Sequence, residues 1–135
     1  MIEDEELRAI VESSGFGAML GGMITVEGEG GLWTLTPTPD LIGNPLVPAL
    51  HGGAVTAFLQ LACGAAVAHR LDRTVLPRPV SANVQFLAPV RLENVCTLPS
   101  LRRVGRRIAV VHADAWQADP SVSVCAVQCE FSLAD

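Results

Sequence analysis

The longest run of apolar side chains lies in the middle of the chain. From Gly52 to Ala68 only Thr56 and Gln60 are polar, so no polar stripe recurs at the helical period. Such a segment reads as a helix over 52–69 that must be covered on most sides. It falls at the short limit for spanning a bilayer and is rich in Gly and Ala, so a buried core helix is the better reading and no membrane partner is expected. Ahead of it, Leu7, Ile10 and Val11 form an i, i+3, i+4 apolar stripe over residues 3–13, with acidic residues in the first turn where the helix dipole favours them. Ser13-Ser14-Gly15 ends that short helix. Met23–Glu27 and Leu32–Pro37 read as strands joined by the turn Glu27-Gly28-Glu29-Gly30-Gly31. Pro37 and Pro39 stop the second strand, because proline cannot donate to a ladder. Residues 38–50 carry three prolines and Asn44 and read as a loop. Beyond the helix, 71–79 is a connection. Val80–Leu87, Val95–Val104, Arg107–Gln117 and Val122–Phe131 follow as strands, with Ala118-Asp119-Pro120-Ser121 turning between the last two.

The order is a short helix, two strands, one very apolar helix and four strands, which is an α+β pattern in one domain over residues 1–135. A helix apolar on every side needs a sheet curved about it. Composition refines this picture. Half the residues are hydrophobic but only 4% are aromatic, so Val, Leu and Ala must build the core. A net charge of -5 argues against a nucleic-acid partner. The N-terminus is acidic where a secretory leader would be basic. Cys63, Cys96, Cys125 and Cys129 match no zinc-ligand spacing, and read as reduced core thiols of a cytoplasmic protein with no metal or cofactor. Cys125 and Cys129 would share one strand face.

The candidate chemistry starts at Gly52 and Gly53, where the long helix begins. The first N–H groups of a helix have no internal partner and carry the positive end of the dipole, so they suit a developing oxyanion. The bland reading is a plain loop-to-helix turn. Gln60 lies two helical turns beyond Gly53 and shares its face. Buried in an apolar helix it needs a partner, and a structural amide–backbone bond would serve. No Asp or Glu occurs between Asp40 and Asp72. Asn44 precedes Pro45 and is either a turn former or a side-chain amide donor. Arg102, Arg103, Arg106 and Arg107 cluster around Gly105, as a phosphate site or as a solvated hairpin tip. If Gly105 turns the chain, alternation gives Arg103 and Arg107 different surroundings. Asn83 and Gln85 share a strand face opposite Ala82, Val84 and Phe86. His69 and His112 receive no role.

Leu50-His51-Gly52-Gly53-Ala54 before an apolar helix resembles the PaaI-type branch of the hotdog acyl-CoA thioesterases. Asn83-Val84-Gln85-Phe86-Leu87-Ala88-Pro89-Val90 resembles that family's central strand, Arg103-Val104-Gly105-Arg106-Arg107 its next turn, and Ala126–Leu133 its closing strand. The resemblance covers about residues 20–133 and implies a hotdog fold, an antiparallel sheet wrapped around the long helix. It implies protomers paired edge to edge, often as a dimer of dimers, and a site at the dimer interface. It gives backbone N–H groups at Gly52 and Gly53 the thioester carbonyl, and His51 an orienting role in preference to a general base. It places a carboxylate from the partner chain nine residues after the His, where this chain has Gln60. It suggests Asn44 as an amide donor, although the interval to His51 is one residue longer than in related sequences. It suggests Arg106, Arg107 and Gly105 for CoA phosphates, with Ser81 and Asn83 beside the acyl or pantetheine group.

Gln60 divides the functional reading. An amide cannot act as a general base near neutral pH. Losing general-base help forfeits about 10²–10⁴-fold, while one oxyanion donor retains about 10²–10³-fold. The leading expectation is therefore an acyl-CoA thioester hydrolase with an altered catalytic position, slow in turnover. The alternative is a non-catalytic acyl-CoA or CoA binder. A hotdog hydratase or dehydratase is a third reading, weakened because the helix offers no acid.

Overall fold

The computed structural model describes residues 2–13, 15–29 and 31–134. Helix α1 (Asp4–Ser13) is followed by a short helix α2 (Gly15–Met19). Strands β1 (Ile24–Glu27) and β2 (Leu32–Leu35) form a hairpin, then come a 3₁₀ turn (Pro39–Leu41) and a second hairpin of β3 (Ile42–Asn44) and β4 (Val47–Leu50). Helix α3 (Gly52–Leu71) precedes β5 (Arg78–Phe86), β6 (Val95–Thr97), β7 (Ser100–Val104), β8 (Ile108–Trp116) and β9 (Cys125–Ser132). Seven strands make one antiparallel sheet in the order β1-β2-β6-β8-β9-β5, with β7 also on β8. The sheet wraps α3, so the fold is α+β and hotdog, with a short helix at the N-terminal side.

Period-two burial explains the wrap. On β8, Ala109, Val111, Ala113 and Ala115 point inward and are buried, and Cys125, Val127, Cys129 and Phe131 do the same on β9. Three alanines on one face let α3 lie close, and α3 answers with Val55, Phe58, Leu59 and Ala62. Phe58 and Trp33 are fully buried, each stabilising by about 1.5–3 kcal/mol. Leu7 and Val11 of α1 close the core from the far side. α3 is long and apolar enough to cross a membrane by length and composition, but here half of its residues are buried against sheet and helices. It ends at Asp72, whose left-handed backbone (φ 55) directs its N–H to the Ala68 and His69 carbonyls.

Four expectations need correction. The segment 38–50 is not a plain loop: Ile42 pairs with Leu50 in a hairpin of its own, and Pro48 is tolerated because both strands are edges. Val95–Val104 is not one strand; Pro99 splits it into β6 and β7, both on β8. α1 ends at Ser13 as expected, but Gly15 leads into no turn and instead starts α2. The last strand begins at Cys125 rather than Val122, because Asp119 accepts from the Ser121 N–H (2.9 Å) and hydroxyl (2.8 Å) and holds the turn. Those same bonds lower the Asp119 pKa.

Cys63 on α3 and Cys129 on β9 meet inside the core. The thiol of Cys63 hydrogen-bonds to Cys129, and that bond with burial pushes the Cys63 thiol up. Burial raises Cys125 as well. These groups behave as small hydrophobes.

Candidate active site

The start of α3 is wired to two other segments. Leu50 N–H donates to the Val90 carbonyl (2.7 Å) and His51 N–H to the Leu41 carbonyl (2.6 Å). Gln117 fixes the loop beyond Val90, accepting from the Arg91 N–H (3.1 Å) and donating to the Arg91 carbonyl (2.9 Å) and Glu93 carbonyl (3.2 Å). His51 then caps the helix. Its Nδ1 accepts from Gly53 N–H (2.9 Å), and its carbonyl accepts from Ala54 and Val55. The neutral ring therefore carries its proton on Nε2, as that bond requires.

This bonding separates the two glycines. Gly53 N–H is spent on His51, whereas Gly52 N–H has no partner among the described residues. Gly52 is thus the helix-start donor open to an incoming oxygen. Packing also explains why both are glycine. A Cβ on Gly52 would stand 3.1 Å from the Phe86 ring, and one on Gly53 3.0 Å from His51 Nδ1. Gly43 presses on the other side of His51, where a Cβ would lie 3.2 Å from its Cδ2. Phe86 and Gly43 escaped the sequence reading because they reach this point from β5 and β3. The apolar face of β5, with Phe86 opposite Asn83 and Gln85, was the available signal for the first.

Gln60 stands apart. Eight residues beyond Gly52 on a straight helix is about 12 Å along the axis, so one carbonyl cannot touch both in one copy. Gln60 is half-buried and its amide has no partner among the described residues, so the structural amide–backbone bond is not made. It lines a cavity of about 430 Å³ with Phe16, Leu61, Leu76, Pro77 and Phe131. Among the described residues Arg78 is the sole charged one on that wall, and none of them brings a carboxylate to it. Leu76 comes from a segment read as a connection and Phe16 from one given no element, so spacing alone did not join them.

Asn44 sits exposed at the β3–β4 hairpin tip, where its Oδ1 accepts from Leu46 N–H (3.0 Å) in an Asx turn. Ser81 and Asn83 occupy the outer face of β5, away from α3. Ser81 Oγ bonds Glu130 Oε1 (3.1 Å), and Asn83 faces a shallow pocket with Gln85, His112 and Gln128. His112 Nε2 meets Asp114 Oδ2 at 3.1 Å on the same face. Arg103, Arg106 and Arg107 line one open groove of about 850 Å³ with Gly105 and Glu130. The expected separation of Arg103 from Arg107 is therefore wrong. A bulge between Leu101 and Arg103 shifts β7 by one residue and sets Arg103 opposite Val110 on the outer face. The arginine groove is thus on the outer face, and the helix start and Gln60 lie on the inner one.

A sequence model described as the thioesterase superfamily matches residues 48–124, more than half of the chain. The chain belongs to the thioesterase superfamily. The matched stretch holds His51, Gly52, Gly53, Gln60 and the arginine hairpin. Membership supports a thioesterase-type function acting on a thioester substrate. This thioesterase-superfamily chain is similar in structure to a Pseudomonas aeruginosa protein (24% identity, TM-score 0.81, covering 97% of this chain and 98% of that one). It is also similar to thioesterase superfamily member 2 of Mus musculus (17%, TM-score 0.79, covering 99% and 100%) and to its zebrafish namesake (16%, TM-score 0.80, covering 97% and 95%). At these identities the structures speak for the hotdog fold alone. No curated protein sequence matches.

Proposed function

We propose that the protein is a PaaI-like acyl-CoA thioesterase whose site forms between two copies, with Gln60 of one facing the helix start of the other. The observation that carries this is the presence of two unpartnered groups on one helix, Gly52 N–H and the Gln60 amide, too far apart to share a carbonyl within one chain. A two-fold brings one of each together twice. β5 supports edge-to-edge pairing: it ends the sheet, is nine residues long, and leaves Val80 57% and Phe86 55% exposed. The dimer of dimers and the cytoplasmic location belong to the same proposal, the latter supported by the four free thiols.

In this reading the thioester oxygen accepts from Gly52 N–H. The partner's Gln60 holds a water through its amide oxygen. The water oxygen attacks the carbonyl carbon, the C–S bond breaks, and the CoA thiolate takes a proton from solvent as the acid is released. An amide cannot take the water proton, so that proton passes to solvent and turnover is slow. Arg103, Arg106 and Arg107 would meet CoA phosphates, with Ser81 and Asn83 on the same outer face along the pantetheine arm.

The second reading is a thioester binder without turnover, favoured by a Gln60 wall to which no described residue brings a carboxylate. The test is free-thiol release from an acyl-CoA panel, with affinity by calorimetry. Turnover above the uncatalysed rate supports the hydrolase. Binding without turnover supports the binder, and neither binding nor turnover refutes both.

A further inference from the structure

We infer that Gly64 sets the length of the acyl group this protein accepts, and that the group is uncharged and apolar. The inference rests on the proposed role of Gln60 at the carbonyl. Gly64 lies one helical turn beyond Gln60 on the same face, about 6 Å along the axis, and both line the 430 Å³ cavity. That volume lies within the range of small-molecule sites, about 300–1,000 Å³. The cavity therefore runs from the proposed carbonyl position along α3 to Leu76 and Phe131. Apart from Gln60 at its near end and exposed Arg78 at the start of β5, its walls are apolar. An acyl chain leaving the carbonyl in this direction passes Gly64 and ends against the Phe131 ring.

Gly64 is where that depth is left open. A Cβ there would lie 3.5 Å from Phe131 Cε1 and 3.7 Å from Leu76 Cδ2, which is ordinary contact. Packing within the chain does not demand glycine, and alanine is the better helix former at an interior position. A methyl at Gly64 thus stiffens the helix without strain and takes its volume from the far end of the cavity. Valine takes more. Leu76→Ala removes wall at the same point and should act in the opposite sense.

The experiment measures kcat/KM for acetyl-, butyryl-, hexanoyl-, octanoyl-, decanoyl- and glutaryl-CoA with wild type, Gly64→Ala, Gly64→Val and Leu76→Ala. Calorimetric affinities are measured for the same esters and melting temperatures for each protein. Expected is a graded loss in the Gly64 variants, roughly tenfold or more for the longest esters in Gly64→Val and within twofold for the shortest, with Leu76→Ala extending the range upward. If no ester is hydrolysed, the hydrolase reading fails, and the affinities alone decide the chain-length claim. Equal losses at all lengths with unchanged melting would overturn it, as would an unchanged profile. A preference for glutaryl- over hexanoyl-CoA, through Arg78, would overturn the apolar assignment.

Discussion

Two stretches of one helix are built in opposite ways. At its start, backbone and side-chain polar groups are tied together: His51 to Leu41 and Gly53, Leu50 to Val90, and Gln117 to Arg91 and Glu93. One N–H, that of Gly52, is left open inside that rigid frame. Two turns on, Gln60 has no tie among the described residues and sits on a mostly apolar wall. Electrostatic stabilisation of an oxyanion depends on donors fixed beforehand, and the helix start has that character. The Gln60 region has the character of a pocket that a substrate or a second copy completes. Under the proposed function, the contrast means that carbonyl binding is pre-organised while water activation is weak.

The largest test of this contrast is Gln60→Asp. A carboxylate in that position supplies a general base, and hydrolysis should rise by about 10²–10⁴-fold. A rise in kcat with little change in KM is expected, and an unchanged rate would mean that Gln60 does not face the reacting water. The next test removes the open donor without removing the helix. Proline is well tolerated at the first helical position, and His51 already has the extended backbone (φ -59, ψ 128) that proline asks of its predecessor. Gly52→Pro, made with Phe86→Ala to clear the ring, should lower kcat by about 10²–10³-fold. Phe86→Ala alone is the control, and equal activity in the two proteins would discard Gly52 as the oxyanion donor.

Smaller effects probe the frame. His51→Ala removes the cap on Gly53 and should cost about 1 kcal/mol in denaturant unfolding. It frees a second N–H, so a large loss of kcat/KM with no stability change would make His51 a reacting group rather than a positioning residue. The smallest signal is in the thiols. Half-buried Cys96, 3.7 Å from the Thr34 hydroxyl, should react with a thiol reagent in the native protein. Cys63, Cys125 and Cys129, all buried, should react only on unfolding. Native reaction at Cys129 would show that the helix–sheet contact opens.

Much of the fold was legible because periodicity reports burial. α3 has no polar face, so its place in the core followed from order alone, whereas β9 buries Ala126 and Ser132 beside its inward-facing row. The hairpin at Ile42–Leu50 was not legible, since its prolines and Asn44 mark turns and edges equally well. Pro99 broke a strand whose flanks both read as extended. At the site, local features were visible: the helix start at His51-Gly52-Gly53 and the odd polar residue Gln60. Which of the two glycine N–H groups is open depends on the His51 ring, a choice of side-chain direction that spacing does not encode. The cavity walls, Phe16, Leu76 and Phe131, come from three distant segments, and only folding brings them together.

The most direct test of the shared site is complementation between inactive copies. Gly52→Pro/Phe86→Ala protein and Gln60→Ala protein are mixed, exchanged through mild denaturant and assayed for thiol release. A two-fold dimer holding one of each copy has one intact site, so the mixture should recover about a quarter of wild-type activity. Activity no greater than the sum of the separate variants, with subunit exchange verified, would contradict a site shared between copies.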